Sequence, residues 1–116
     1  MAELLVDTDV LVDHLRTGRG LGEVGSRLNY SVVSRAELYA GRATEETVVA
    51  RMLAPLRELE VDRAVSEQGG RVRRATGLAL PDALIAATAL RYGLVVLTRN
   101  RRHFERVEGL ALRSPA

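Results

Sequence analysis

Residues 80–97, with the sequence LPDALIAATALRYGLVVL, determine the fold class of this chain of 116 residues. Residues 78–90 carry a single charge, that of Asp82, so the segment predicts a central helix that is apolar on every side. Pro81 opens this helix and Gly93 ends it, which is typical of both residue types. The four apolar residues 94–97 then predict a buried strand. A buried helix followed at once by a buried strand is typical of an α/β fold.

The rest of the chain continues this alternation. We predict further strands at residues 4–6, 30–32, 59–61 and 110–112. We predict further helices at residues 8–15, 21–28, 34–40, 44–56 and 64–75, and one helical turn at residues 100–104. The pattern predicts an α/β fold with a mostly parallel central sheet flanked by helices, in a single domain over residues 1–116. In such sheets, functional sites lie just beyond the carboxyl ends of strands.

The composition excludes several kinds of chemistry. The chain has no cysteine and only two histidines, which excludes disulfides, a zinc ribbon and a thiol nucleophile. A metal site would therefore be built mainly from oxygen ligands. No apolar run approaches the ~20 residues of a membrane span, and Glu3 gives the start of the chain an acid where a leader would be basic. We expect a cytoplasmic protein with no membrane partner.

Asp7 and Asp9 follow the first predicted strand. Asp7 comes directly after apolar residues, where it is either the N-cap of the next helix or a residue of a functional site. Asp9 lies in the first turn of that helix, where the helix dipole favours a negative charge. An Asp-x-Asp pair can also hold a hard cation. Each residue taken alone is well explained by a structural role.

Glu37 and Asn100 each allow two interpretations. The sequence Ser34-Arg35-Ala36-Glu37 fits a capping box, yet the surrounding helix is so apolar that Glu37 is equally expected to face a protected cleft. Asn100 follows the strand predicted at residues 94–97. It is either a turn or N-cap residue, for which asparagine is well suited, or an oxygen ligand.

Asp82 is the most informative of these residues because it opens the apolar helix. Burying an unpaired carboxylate there would be costly, and the chain has no lysine, so its partner is expected to be an arginine or a bound cation. Carboxylates that converge on one site raise one another's pKa unless a counter-ion is present. Ligands that are all oxygen favour Mg²⁺ or Mn²⁺ over zinc.

Four stretches follow one another along the chain: LLVDTDVLVD at residues 4–13, SVVSRAELYAG at residues 31–41, LPDALIAATAL at residues 80–90 and LVVLTRNRRHF at residues 94–104. In this order they resemble the PIN-domain ribonucleases, and specifically the VapC-type toxins of bacterial type II toxin–antitoxin systems. The resemblance spans nearly the whole chain. Any one stretch is a match of low specificity, but four in the family's order make a chance resemblance improbable.

The resemblance implies a metal-dependent endoribonuclease that hydrolyses RNA phosphodiester bonds with Mg²⁺ or Mn²⁺. The family's catalytic positions fall on Asp7, Glu37, Asp82 and Asn100, of which Asp7, Asp82 and Glu37 would be metal ligands. Asn100 stands where PIN domains usually carry an acid, so we expect one firmly bound metal. His103 likewise stands where similar toxins often carry an acid. The polar residues expected to support the ligands are Thr8, Ser34 and Thr98.

The same resemblance implies two partners besides the metal. RNA phosphates would contact the arginines beside the fourth position, Arg99, Arg101 and Arg102. The apolar residues of the helices at 8–15 and 44–56 are either core or, as in similar toxins, a groove for a helix of a VapB-like antitoxin. This stripe comprises Leu11, Leu15, Val48, Val49, Met52 and Leu53. We also expect a homodimer.

Two alternatives remain open. One is a catalytically weak PIN fold that binds RNA or a partner, which the neutral Asn100 favours. The other is a phosphotransferase or phosphatase of another α/β family that uses Asp7 and Asp9. This second alternative requires Asp9 to face the site, and it leaves Glu37 and the helix that begins at Pro81 unexplained.

Overall fold

The computed structural model describes residues 3–19, 21 and 27–115. The strands of these residues are β1 Glu3–Val6, β2 Arg27–Ser31, β3 Arg57–Leu59, β4 Val95–Leu97 and β5 Leu112–Arg113. The helices are α1 Thr8–Thr17, α2 Val32–Tyr39, α3 Glu46–Leu53, α4 Arg63–Thr76, α5 Leu80–Tyr92 and α6 Arg101–Phe104. Within this part of the chain, no helix has the length and apolar composition needed to cross a membrane.

The five strands form one parallel sheet in the order β3-β2-β1-β4-β5. This confirms the predicted α/β fold with a parallel central sheet flanked by helices. The chain first builds outward from β1 to β3 and then returns to build β4 and β5 on the other side. The direction of winding therefore changes between β1 and β4. Ligands of open α/β sheets bind at such a switch point, outside the carboxyl ends of the strands.

Helices cover both faces of the sheet because side chains alternate along each strand. Leu4 and Val6 of β1 belong to a core cluster with buried residues of α1, α2 and α3. Leu5 lies in a different cluster with Ile85 and Ala89 of α5. Six residues of α5 are buried, as the apolar sequence of this helix predicts. The most central strand is thus buried on both sides, which is usual in parallel sheets.

Strand β2 begins earlier than the sequence predicts. Arg27 and Leu28 belong to the strand, so the helix predicted at residues 21–28 is wrong there; residues 22–26 lie outside the described part of the chain. The polar residues Arg27 and Asn29 interrupt the apolar pattern and conceal the strand. Asn29 is nevertheless fully buried, and its side-chain amide donates to the carbonyl of Leu4 at 3.0 Å. This bond to β1 offsets the cost of burying the NH₂ group, whereas the side-chain oxygen of Asn29 is buried with no hydrogen-bond partner among the described residues.

Other helices and strands begin or end a few residues away from their predicted boundaries. Ser31 ends β2 and caps α2, since its hydroxyl accepts from the amide of Val33 at 3.1 Å, so the strand does not include residue 32. β3 lies two residues before its predicted position, at Arg57–Leu59. Helix α3 is shorter than predicted and ends at Leu53, two residues before Pro55, which cannot continue the hydrogen bonding of a helix.

A polar network fixes α2 against the edge of the sheet. The hydroxyl of Tyr30 on β2 donates to Oε1 of Glu58 on β3 at 2.8 Å, and Arg35 on α2 contacts both of these side chains. These hydrogen bonds lower the pKa of Glu58. Because α2 also carries Glu37, the network holds the helix that presents this acid to the switch point.

Candidate active site

A cavity of about 400 Å³ opens at the carboxyl ends of β1 and β4. We call it the acidic cavity. It is lined by Asp7, Thr8, Asp9, Val12, Glu37, Asp82, Arg99, Asn100 and His103. The four residues predicted to be catalytic therefore come from separate stretches of the chain and meet at one place, which is the switch point of the sheet.

Asp7 caps α1 and is only 5% exposed. Its Oδ1 accepts from the amide of Thr8 at 2.8 Å, and its Oδ2 accepts from the hydroxyl of Thr98 at 2.9 Å. Burial, together with the negative charges of Asp9 and Asp82, raises the pKa of Asp7 to about 7, although the two hydrogen bonds act to lower it. The N-cap interpretation of Asp7 is confirmed, and Asp7 also lines the acidic cavity.

Thr8 links α1 to the acid on α2. Its hydroxyl donates to Oε1 of Glu37 at 2.7 Å and lies 2.7 Å from the hydroxyl of the buried Ser34. Helix α2 begins at Val32 with Ser31 as its N-cap, so the capping box predicted for Ser34 and Glu37 is wrong. Glu37 instead lies in the second turn of the helix and reaches the acidic cavity.

Asp82 lies in the first turn of α5 and is half-buried. Its Oδ2 is 2.8 Å from Nε2 of His103 on α6. The sequence predicted an arginine or a cation as the partner of Asp82, and the arginine is wrong. In the described part of the chain, the side chain paired with Asp82 is the imidazole of His103. The protein therefore brings a nitrogen base into contact with one of its candidate metal ligands.

Thr98 joins Asp7 to the loop that carries Asn100. Thr98 directly follows β4 and is fully buried. Its oxygen donates to Asp7 and accepts from the backbone amide of Asn100 at 3.0 Å. Asn100 occupies the N-cap position of α6, but its side chain makes no capping hydrogen bond there. The exposed amide of Asn100 instead lines the acidic cavity.

The three arginines predicted to bind RNA lie differently with respect to the cavity. Arg99 lines it, with Nη1 3.3 Å from Oδ1 of Asp13 and its backbone amide 3.5 Å from Oδ1 of Asp9. Arg101 and Arg102 are exposed on α6. Arg102 belongs to a second cavity of about 560 Å³, which shares two residues with the acidic cavity. The second cavity is lined by Asn100, Arg102, His103, Glu105 and Arg106.

The family model of the PIN domain matches residues 4–110. This chain belongs to the PIN-domain family. The match includes the acidic cavity and the four strands β1 to β4, apart from Glu3 at the start of β1. None of the curated proteins matches the chain in sequence at a significant level.

Solved structures similar to this PIN domain include toxin–antitoxin complexes. VapBC2 from Rickettsia felis bound to a promoter DNA fragment aligns with a TM-score of 0.83 and 17% identity, over 98% of this chain and 99% of the other. DNA-bound VapBC from Salmonella typhimurium aligns with a TM-score of 0.82 and 24% identity, over 98% of each chain. A toxin–antitoxin complex from Klebsiella pneumoniae aligns with a TM-score of 0.80 and 26% identity, over 97% of this chain and 98% of the other.

Asp9 lies in the acidic cavity of the PIN domain, a place that the sequence analysis left open for it through the Asp-x-Asp pattern but did not include among the predicted site residues. Its charge is the largest cause of the raised pKa of Asp7 after burial itself. The available signal was its position in the first turn of a helix that begins at a strand end. The phosphatase alternative required Asp9 to face the site, which it does. The same cavity also contains Glu37 and Asp82, however, and that alternative does not explain them.

The donor set of the cavity fits a divalent cation in chemistry and in charge. Asp7, Asp9, Glu37 and Asp82 contribute carboxylates, and Asn100 contributes an amide oxygen. Among the described residues, no group of three or more His, Cys, Asp or Glu side chains is arranged to hold a metal ion by itself. Mg²⁺ in proteins usually keeps several waters among its ligands, so the side chains need not supply all of them. A cation there would also relieve the repulsion that raises the pKa of Asp7.

A groove of about 460 Å³ lies beside the acidic cavity, between α1, α2 and α3. We call it the α1–α3 groove. The apolar stripe predicted for this region is divided between core and groove: Leu11 and Leu53 are buried in the core, whereas Val48 is 42% exposed. The groove is lined by Val12, Leu15, Arg16, Glu37, Leu38, Gly41, Ala43, Thr44, Glu45, Val48 and Val49.

Proposed function

We propose that this PIN domain is a VapC-like toxin, an endoribonuclease that uses Mg²⁺ or Mn²⁺ to hydrolyse RNA phosphodiester bonds. The observation that carries the proposal is the meeting of Asp7, Glu37, Asp82 and Asn100 in one cavity at the switch point of a PIN fold. We take the whole chain, residues 1–116, as one domain, and we place the protein in the cytoplasm, where its RNA substrate is found.

The side chains of the cavity would have different roles in the reaction. A bound cation would activate water, orient the phosphate and stabilise the charge that develops on it. Asp7 and Asp82 would hold that cation. Thr98 fixes the orientation of the Asp7 carboxylate through the 2.9 Å hydrogen bond from its hydroxyl to Oδ2. Glu37, oriented by Thr8 and Ser34, would be a further ligand or would position the attacking water.

The reaction itself is an in-line displacement at phosphorus. The oxygen of water forms a bond to phosphorus and the water gives up one proton, while the bond from phosphorus to the 3′ oxygen breaks and the 3′ oxygen takes up one proton. The products carry a 5′-phosphate and a 3′-hydroxyl. Arg99 lies at the wall of the cavity, and Arg101 and Arg102 are exposed on α6, where they would contact phosphates on either side of the cleaved bond.

The neutral Asn100 reduces the charge available to hold cations. Its amide oxygen can coordinate a cation, but it adds no Coulomb attraction for a second one. We therefore propose one firmly bound cation per site. A second cation would depend on the negative charge of the RNA phosphate. The alternative function, a PIN fold that binds RNA with little cleavage, rests on the same residue.

We propose a VapB-like antitoxin as the protein partner and the α1–α3 groove as its binding site. The groove has exposed apolar side chains such as Val48, and it shares Val12 and Glu37 with the acidic cavity. An amphipathic helix laid in an apolar groove is a common mode of recognition. A segment that continued past Glu37 would enter the cavity and block it. We also propose that the toxin forms a homodimer.

Cleavage of RNA by the purified protein tests the proposed activity. We expect cleavage of cellular RNA with Mg²⁺ or Mn²⁺, none with a chelator, and at least a hundredfold loss in Asp7→Asn and Asp82→Asn. Glu67→Gln is the matched control, because it neutralises an exposed acid of α4 outside the cavity. Metal-dependent cleavage that persists in both cavity variants would refute the site. RNA binding without cleavage by the unaltered protein would favour the alternative function.

A further inference from the structure

His103 contacts Asp82 inside the acidic cavity, and the proposed function gives it no role. Its Nε2 lies 2.8 Å from Oδ2 of Asp82, and its ring lines both the acidic cavity and the second cavity beside it. The neighbouring Phe104 is 1% exposed and anchors the short helix α6 in the core. The imidazole is therefore held at the cavity by a buried residue of its own helix.

The spacing of this pair suits two ligands of one ion. Adjacent ligands of an octahedral cation, each about 2.1 Å from the metal at right angles, stand about 3 Å apart. The 2.8 Å between Nε2 and Oδ2 is close to that separation. The 2.8 Å separation is also that of a hydrogen bond, so a cation bound by both groups would replace the proton that they share, with the imidazole turned so that Nε2 faces the metal.

The charge of the cavity gives a reason for a nitrogen ligand. Asn100 and His103 both line the cavity, and neither adds a carboxylate to it. Mg²⁺ is a hard cation that depends on oxygen ligands and on negative charge. Transition-metal dications gain additional binding from imidazole nitrogen, and this gain increases along the series from Mn²⁺ to Cu²⁺.

We propose that His103 is a direct nitrogen ligand of the bound cation, adjacent to Asp82, and that it makes the site prefer transition-metal dications such as Mn²⁺ over Mg²⁺. The proposal deepens the proposed function and rests on it, since it concerns the cation of the same cavity. It assigns the imidazole to the metal itself, in place of a role limited to holding the carboxylate by a hydrogen bond.

Pulsed electron paramagnetic resonance of the Mn²⁺-loaded protein tests the ligand directly. In mildly alkaline buffer, where protons compete least for the ligands, we expect hyperfine coupling from an imidazole nitrogen bound to Mn²⁺. The coupling should disappear in His103→Gln and remain in His14→Gln. His14 is a suitable control, because its Nδ1 contacts the carbonyl of Arg19 and it does not line the acidic cavity.

Competition between the two cations tests the selectivity. Displacement of Mn²⁺ by Mg²⁺ should require at least tenfold less Mg²⁺ in His103→Gln than in the unaltered protein, a change of the size seen when a group supporting a metal site is lost. His103→Asp restores a carboxylate and should shift the preference toward Mg²⁺ further still. If a variant fails to fold, the nitrogen coupling in the spectrum of the unaltered protein still tests whether an imidazole binds Mn²⁺.

The outcomes separate this proposal from the proposed function. Mn²⁺ that binds without nitrogen coupling overturns the ligand role of His103 and leaves the metal-dependent nuclease intact. Equal losses of Mn²⁺ and Mg²⁺ affinity in His103→Gln also overturn it, because they show that His103 acts only by holding Asp82. If Mg²⁺ binds in the cavity and Mn²⁺ does not, the proposal for His103 fails alone. If neither cation binds there, both proposals fail.

Discussion

Asp7 shows how a single residue acts in both folding and function. It caps α1 through the amide of Thr8, yet it is 5% exposed and lies beside two other acids. The hydrogen bonds that hold it in place favour its charged form, while burial and repulsion oppose that form and prevail. A carboxyl group with a raised pKa loses its proton when a cation binds beside it, because the cation stabilises the charged form.

The raised pKa predicts how stability depends on pH in metal-free protein. The folded protein holds the Asp7 proton up to a pH of about 7, whereas the ordinary value is 3.8, so the folded state binds more protons between these limits. The free energy of unfolding should therefore fall by at most about 4 kcal/mol as the pH rises from about 4 to about 7. Above pH 7 it should level off.

Urea denaturation with a chelator across this range measures the effect. Asp7→Asn, which cannot ionise, should lose this part of the fall. Glu67→Gln should keep it, because Glu67 is exposed and lies outside the acidic cavity. A fall of equal size in Asp7→Asn and the unaltered protein would contradict the prediction.

Thr98 offers a second prediction at the scale of the residue. Thr98→Val keeps the shape of the side chain but removes the bonds to Asp7 and to the amide of Asn100. We expect Mn²⁺ affinity, measured by titration calorimetry, to fall about 10- to 100-fold. Thr88→Val is the matched control: Thr88 is also fully buried, but its hydroxyl donates to the carbonyl of Leu84 within α5. Equal effects in both variants would assign Thr98 a general structural role.

At the scale of the element, the packing of α4 on α5 depends on one of two adjacent glycines. A Cβ at Gly69 would lie 2.5 Å from Cδ2 and 3.2 Å from Cγ of Leu84 on α5. A Cβ at Gly70 would meet no atom within 4 Å. Gly69 therefore allows α4 and α5 to approach closely at Leu84.

The two glycines predict opposite effects of the same substitution. Gly70→Ala should raise the free energy of unfolding by about 1 kcal/mol, because alanine favours the helix. Gly69→Ala should lower the free energy of unfolding by about 1 kcal/mol. The added methyl group gains the same helix preference of alanine, but overpacking against Leu84 costs ~1–3 kcal/mol, which is more than that gain. Thermal or chemical denaturation of both variants checks the prediction. A stabilised Gly69→Ala would show that α5 moves away at little cost.

At the scale of the whole molecule, the α1–α3 groove and the acidic cavity form one continuous surface. They share Val12 on α1 and Glu37 on α2, so a partner seated on the apolar side lies directly beside the acids. The sheet explains the arrangement, because α1 and α2 both begin at the carboxyl ends of neighbouring parallel strands. Inhibition by a bound helix would need no change in the fold.

Substitution in the groove should separate inhibition from catalysis. Val48→Asp places a charge in the apolar groove and should weaken neutralisation at least tenfold while RNA cleavage persists. The inhibitor is the proposed VapB-like antitoxin, sought as the product of a short open reading frame directly upstream and titrated against the purified protein. Tyr92→Asp is the control, because Tyr92 is similarly exposed at 44% but lies outside the groove. Unchanged neutralisation of Val48→Asp would place the antitoxin elsewhere.

Much of the fold and several residues of the candidate site were predictable from the sequence. Buried strands and the apolar helix α5 produce local patterns, and acids that directly follow strands are conspicuous against apolar neighbours. Strand β2 was mispredicted because the polar residues Arg27 and Asn29 interrupt its apolar pattern, and hydropathy does not reveal the bond from the buried Asn29 amide nitrogen to another strand. The capping box of Ser34 and Glu37 was wrong because Ser31 offered an earlier cap to the same helix.

The sequence by itself determined the alternation of strands and helices and the placement of Asp7 and Asn100 at strand ends, because both follow from local order along the chain. Only the tertiary structure decided that Asp9 joins the acidic cavity and that His103 pairs with Asp82. The directions of these side chains depend on how α1, α5 and α6 pack around the switch point. That packing is set by contacts between residues far apart in sequence, which no local pattern contains.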